Sequence, residues 1–140
     1  MLTIKIQTNA LPLNRLYPTN KSGRRFLSKE GSDYKKIVHV ETYRAVREQG
    51  FSFNPKTHYL SSEIFFYTPK LITKKKEISK AKPDTSNLVK ALEDAVFEVL
   101  GIDDCYNLDL NISVHYSKDP LIVFILRKHL LSSKFDSMGD

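Results

Sequence analysis

The sequence predicts a single mixed α+β domain with one small sheet and two main helices, in the order β-α-β-α-β-β. Three observations carry that expectation. Residues 2–8 alternate apolar and polar side chains, and residues 88–100 repeat apolar positions at helical spacing. Two apolar stretches of strand length, 108–116 and 121–127, follow in succession. With 140 residues, 41% of them hydrophobic and 27% charged, the chain can build one ordinary hydrophobic core.

The elements follow in order. Leu2, Ile4 and Ile6 fall on one face of the first strand and Thr3, Lys5 and Gln7 on the other. Residues 12–31 are rich in Asn, Pro, Ser, Gly and cations and are expected to form a long loop. Residues 32–49 carry Tyr34, Ile37, Val38, Ala45 and Val46 at roughly helical spacing, with Ser32 or Asp33 as N-cap and Gly50 as the stop. A second strand is expected over 59–67, ending at Pro69. Residues 70–80, with Lys70, Lys74, Lys75, Lys76 and Lys80, are expected to be an exposed, mobile loop. The clearest element comes next. Leu88, Val89, Leu92, Ala95, Val96, Val99 and Leu100 define one wide apolar helical face, and Gly101 supplies its C-terminal stop. The last two strands are joined by a turn at 117–120, and residues 128–140 form a polar tail beyond the 1–127 domain.

Composition narrows the function classes. The single cysteine, Cys105, gives neither a disulfide nor a metal-binding spacing, and is expected to be a small packed residue. The N-terminus lacks an apolar signal stretch, and the longest apolar run, 121–126, is too short to cross a bilayer. A soluble, cytoplasmic protein with no membrane partner is expected. A formal charge of +6 makes a polyanion such as nucleic acid a plausible partner.

One segment concentrates chemistry: Lys82-Pro83-Asp84-Thr85-Ser86-Asn87-Leu88-Val89-Lys90, the helix, then Gly101-Ile102-Asp103-Asp104. A carboxylate stands at the helix entrance, a lysine one turn inside, and paired carboxylates past the exit. Hard divalent cations take such oxygen ligands together with water and substrate phosphate, and can activate water for phosphodiester cleavage. The same residues also suit plain structure, with Asp84 or Ser86 as a helix N-cap and Asp103-Asp104 as a solvated turn.

This segment resembles the hallmark of the RusA-type Holliday junction resolvases, K/R-P-D-x-D-N-x-x-K followed by an amphipathic helix and D-D. Lys82, Pro83, Asp84, Asn87, Lys90, Asp94, Asp103 and Asp104 fit it. Asn14-Arg15-Leu16-Tyr17, Gly23 to Ser28 and Tyr34 are similar to the family's opening loop and helix, so the resemblance covers roughly residues 1–127. It implies a magnesium-dependent endonuclease (manganese as the alternative ion) that resolves four-way DNA junctions. Asp84 and Asp104 would be metal ligands, with Asp103 a supporting acid and Lys90 a basic group near the scissile phosphate. The family's second aspartate falls on Ser86, which takes one negative charge from the site. Two readings follow: a cation held less tightly, or a non-catalytic protein that binds branched DNA with a degraded metal site.

A helix over 86–101 would separate its ends by roughly 23 Å. Asp84 and Asp104 of one chain would then be too far apart to share an ion. An antiparallel homodimer would bring Asp84 of one subunit beside Asp104 of the other, and two-fold symmetry suits a junction in which two strands are nicked. The alternative is that the apolar face packs only on the chain's own sheet, with Gly101-Ile102 folding back. Arg15, Lys21, Arg24, Arg25, Lys74, Lys75 and Lys76 are the candidate phosphate contacts. Phe26, Tyr17 and Tyr43 either stack on splayed bases or pack in the core. His39, His58, His115 and His129 lack ligand-type spacing, and no glycine-rich phosphate loop is present.

Overall fold

The computed structural model describes residues 1–80 and 85–135. The strands are β1 (Leu2–Ile6), β2 (His58–Thr68), β3 (Asn107–Tyr116) and β4 (Leu121–Leu130), and the helices are α1 (Leu13–Leu16), α2 (Lys29–Gln49) and α3 (Thr85–Leu100). The strands form one sheet in the order β1-β4-β2-β3. β4 runs antiparallel to both β1 and β2, whereas β3 runs parallel to β2. A parallel pair needs a crossover, and α3 supplies it between β2 and β3. The turn after β3 passes across the end of β2, where Ser117 N–H donates to the Thr68 carbonyl (3.2 Å). Consecutive strands β3 and β4 are therefore separated by β2 in the sheet.

Alternation decides which sheet face is covered. Leu2, Ile4, Ile6, Leu60, Ile64, Ile122, Phe124 and Leu126 are at most 1% exposed and meet Val38, Leu92, Ala95 and Val96 from α2 and α3 in one core. Leu92 is fully buried in this layer. Leu92→Ala should cost about 2–5 kcal/mol of stability, measured by denaturant unfolding, through lost burial and the cavity left behind.

The expected element order holds, and several boundaries move. The helix expected from residue 32 begins at Lys29, because Ser28 is the cap: its hydroxyl accepts from Gly31 N–H (2.9 Å). Gly31 sits in the first turn because the α1 backbone presses against it. A Cβ there would lie 2.9 Å from both Cα and O of Leu16. Ser28 also ties α1 down, its N–H donating to the Leu16 carbonyl (2.8 Å) and its hydroxyl to that of Arg15 (2.8 Å). Part of the expected 12–31 loop is thus the short helix α1, and residues 19–25 form a small turn bridged between Thr19 and Arg25.

The lysine-rich loop also has defined structure. Ile72 and Ile78 bridge, Thr73 N–H donates to the Glu77 carbonyl (2.8 Å), and Lys76 takes a left-handed φ of 59°. Lys74, Lys75 and Lys76 are exposed at the tip of this hairpin. β4 continues three residues past 127, pairing His58 with Leu130, and a 3-10 turn spans Leu131–Lys134. The start of the polar tail is therefore ordered. No helix among the described residues is long and apolar enough to cross a membrane.

Candidate active site

α3 presents two faces with different chemistry. Leu88, Val89, Ala91, Leu92, Ala95, Val96 and Phe97 are buried, and Lys90, Glu93, Asp94 and Glu98 line the opposite side. Gly101 ends the helix with a left-handed φ of 64°, which turns the chain back on itself. Ile102 then packs against the core. Asp103 caps a one-turn 3-10 helix (Asp104–Tyr106), its carboxylate accepting from Cys105 N–H at 2.9 Å. That hydrogen bond holds the exposed Asp103 carboxyl below its usual range.

This corner sets Asp104 against the middle of α3. Lys90 Nζ lies 3.0 Å from Asp94 Oδ1 and 3.4 Å from Asp104 Oδ2. The Asp104 charge also acts on the half-buried Glu93. The ends of α3 are about 23 Å apart, as expected, and what the structure corrects is the position of Asp104. Asp104 does not stand at the far end but at the level of Glu93 and Asp94, about 13 Å along α3 from Thr85. The fold-back at Gly101-Ile102 is the reason, yet the distance left is still more than one ion spans between two carboxylates.

The electrostatics of the cluster are uneven. Hydrogen bonding and charge from Asp94, with a smaller contribution from Asp104, raise the Lys90 pKa, so this group is a permanent cation at neutral pH. Burial and the Asp104 charge raise the Glu93 pKa. Negative charge around Asp104 is therefore only partly compensated by Lys90. Every donor here is a carboxylate oxygen, the ligand type a hard divalent cation takes. The residues fit such an ion in chemistry, although no group of three acidic, His or Cys side chains among the described residues converges to hold one. Asp84, the expected partner ligand, lies outside the described residues with Lys82 and Pro83. Ser86 is exposed in the first turn of α3.

Asp94 and Asp104 line a cleft of about 310 Å³ closed on the other side by α1 and α2. Tyr17 and Lys35 stand across it, with Lys35 Nζ 3.4 Å from the Tyr17 hydroxyl and 3.2 Å from Glu98 Oε1. Burial opposes the Lys35 charge, but the Glu98 and Tyr17 contacts outweigh it and raise its pKa. His39 Nε2 reaches the other Glu98 oxygen at 3.0 Å. Sequence reasoning missed Glu93 and the Lys35–Glu98–His39 group. Glu93 was legible as a neighbour of Lys90 on one helical stripe, whereas the pairing of α2 with α3 has no signature in a single sequence.

The candidate phosphate contacts are dispersed. Lys21, Arg24 and Arg25 lie exposed on the 19–25 turn, where Arg25 Nε donates to the Tyr17 carbonyl (3.3 Å) and so ties the turn to a wall of the cleft. Arg15 is paired with Glu30. Cys105, expected to be packed, is exposed. Phe26 and Tyr43 are also exposed, while Tyr17 is half-buried in the cleft wall.

A small α+β domain with lysine and carboxylates gathered on one helix beside a cleft is the kind of scaffold on which phosphodiester chemistry can be mounted. The family model for endodeoxyribonuclease RusA matches residues 9–126, from the loop after β1 to within β4. The chain belongs to the RusA endodeoxyribonuclease family. Comparison with curated proteins returned no match.

Proposed function

We propose that the protein is a homodimeric, magnesium-dependent endonuclease that nicks four-way DNA junctions, with manganese able to replace magnesium. The observation that carries this reading is the Lys90 ammonium held between Asp94 and Asp104 beside a cleft, in a chain of this family. Asp84 and Asp104 would hold the ion, with Asp103 fixing the corner that presents Asp104. When bound, the ion supplies activation of water and relief of phosphate charge. Lys90 reorients from the carboxylates toward the scissile phosphate and offsets the charge that grows as water attacks phosphorus and the ester P–O bond breaks. Lys21, Arg24, Arg25, Lys74, Lys75 and Lys76 hold the junction arms through their phosphates. A nicking assay on synthetic four-way DNA, with and without magnesium, tests the reading. Linear duplex cut as well as the junction would remove the branched-DNA specificity.

Ser86 favours a second reading, a protein that binds branched DNA without cutting it. Binding with no nicking in either magnesium or manganese would establish it. If the missing carboxylate merely weakens the metal site, Ser86→Asp should lower the magnesium concentration for half-maximal nicking, by roughly tenfold for one hard ligand. An unchanged requirement would mean the site is already complete.

Because about 13 Å of α3 separates Asp104 from the helix start, the site is proposed to be shared, with Asp84 of one subunit beside Asp104 of the other. Mixing inactive Asp84→Asn and Asp104→Asn proteins with demonstrated subunit exchange should therefore recover part of the activity, in the heterodimer's one intact site. A mixture that stays inactive would place each site within one subunit.

A further inference from the structure

α2 sorts its surface charges by side. Lys36, Val40, Tyr43 and Arg47 follow one another at i, i+4, i+7 and i+11, so they share one stripe of the helix. All four are exposed, and together with His39 and Arg44 they line a shallow groove. The acids Glu41 and Glu48 fall on another flank, where they border a recess with Thr3 and Lys5 of β1. Lys36 and Arg47 engage no side chain among the described residues. Arg44 Nη1 donates to both Glu41 carboxylate oxygens (2.8 and 3.0 Å), which fixes the guanidinium and leaves its other N–H groups free of side-chain partners among the described residues.

The groove adjoins the carboxylate cleft. His39 lines the groove, and its Nε2 meets an oxygen of Glu98, which lines the cleft (3.0 Å). Lys35, the residue before Lys36, stands in the cleft wall. Within the stripe, Val40 is 54% and Tyr43 66% exposed, so apolar surface and a phenolic hydroxyl lie among the cations. A second copy of the chain does not suit this stripe. Two-fold pairing of antiparallel stripes would set Lys36 against Arg47 at both ends, and like charges so placed repel. A polyanion meets no such penalty.

We infer that this stripe of α2 is a docking surface for a double-helical arm of the DNA substrate, gripped through its phosphates. Lys36 and Arg47 stand about 16 Å apart along the helix. That is several times the roughly 3.4 Å rise between successive phosphates of one strand, so each cation takes a phosphate of its own. The Tyr43 hydroxyl donates to the same backbone and Val40 packs on its sugars. Such contacts position a duplex without reading its sequence. The arm is thereby aimed at the cleft across the His39–Glu98 contact. This inference rests on the branched-DNA reading above.

The test measures junction affinity of the full-length protein by gel shift in calcium over a range of salt concentrations. The double variant Lys36→Gln, Arg47→Gln should lower the slope of log affinity against log salt by about two units and weaken binding roughly tenfold at low salt. Tyr43→Ala should weaken binding about threefold with the slope unchanged. Lys5→Gln, Lys118→Gln removes the same charge from exposed positions on β1 and the β3–β4 turn, and should move the slope by less than about half a unit. A folded α2 variant with the wild-type slope overturns the docking surface. So do equal losses in the two double variants, which would make the effect one of net charge. An α2 variant whose oligomeric state shifts in sedimentation overturns it too, making the stripe a contact between copies. Wild-type protein that neither binds nor nicks four-way DNA overturns the reading beneath it.

Discussion

Asp104→Asn should reduce junction nicking at least about a hundredfold, because it removes a proposed charged ligand of an ion that supplies several kcal/mol to the reaction. Affinity for the junction, measured by gel shift in calcium or without divalent ions, should stay the same or rise, since a negative charge near phosphate disappears. Thermal unfolding should change little, because the Lys90–Asp104 contact is a surface pair worth at most about 1 kcal/mol. Glu93 is the informative control. Its carboxyl is half-buried against Asp104, and in the Asn variant the repulsion that raises its pKa is gone. Nicking at the wild-type rate in Asp104→Asn would remove Asp104 from the chemistry.

Lys90→Met should lower kcat by roughly 10²- to 10³-fold, the usual cost of deleting a group that stabilises transition-state charge. Its effect on the metal should run the other way. With the ammonium gone, Asp94 and Asp104 lose their counter-charge, so the magnesium concentration for half-maximal nicking should fall. Loss of rate with tighter metal binding separates Lys90 from the acids, whose loss weakens both. Lys90→Arg keeps the charge on a planar fork of different reach and should recover part of the rate. If Lys90→Met lowers both rate and metal affinity, the lysine's role is to position the acids and not to meet the phosphate.

Much of the fold was legible because burial writes a period into the chain. The alternation in β1, β2 and β4 and the apolar stripe of α3 survive as pattern in the residues themselves. What was illegible depended on partners distant in sequence. Gly31 looks like a loop residue until the Leu16 backbone is seen against it, so the sequence points to Ser32 or Asp33 as the cap and not to Ser28. The order β1-β4-β2-β3 depends on which edges find each other, and no strand carries that information alone. Lys90, Asp94 and Asp104 were all named from the sequence. Their meeting depends on the left-handed glycine that brings Asp104 back along the same helix, a fold-back the sequence offers at Gly101-Ile102 only as one of two alternatives.

The pairing of β1 with β4 has a consequence during synthesis. Leu2 lies opposite Leu126 and Ile6 opposite Ile122, so the first strand of the sheet waits for its last. Until β4 leaves the ribosome, β1 and β2 cannot join one sheet, since β4 stands between them. At synthesis rates of about 5–20 residues per second, β1 spends several seconds without its neighbour, and its inward face of Leu2, Ile4 and Ile6 lacks its native cover. Contacts this remote also slow folding after release. Completion is therefore abrupt: a chain truncated within β4 lacks the strand that unites the two halves of the sheet.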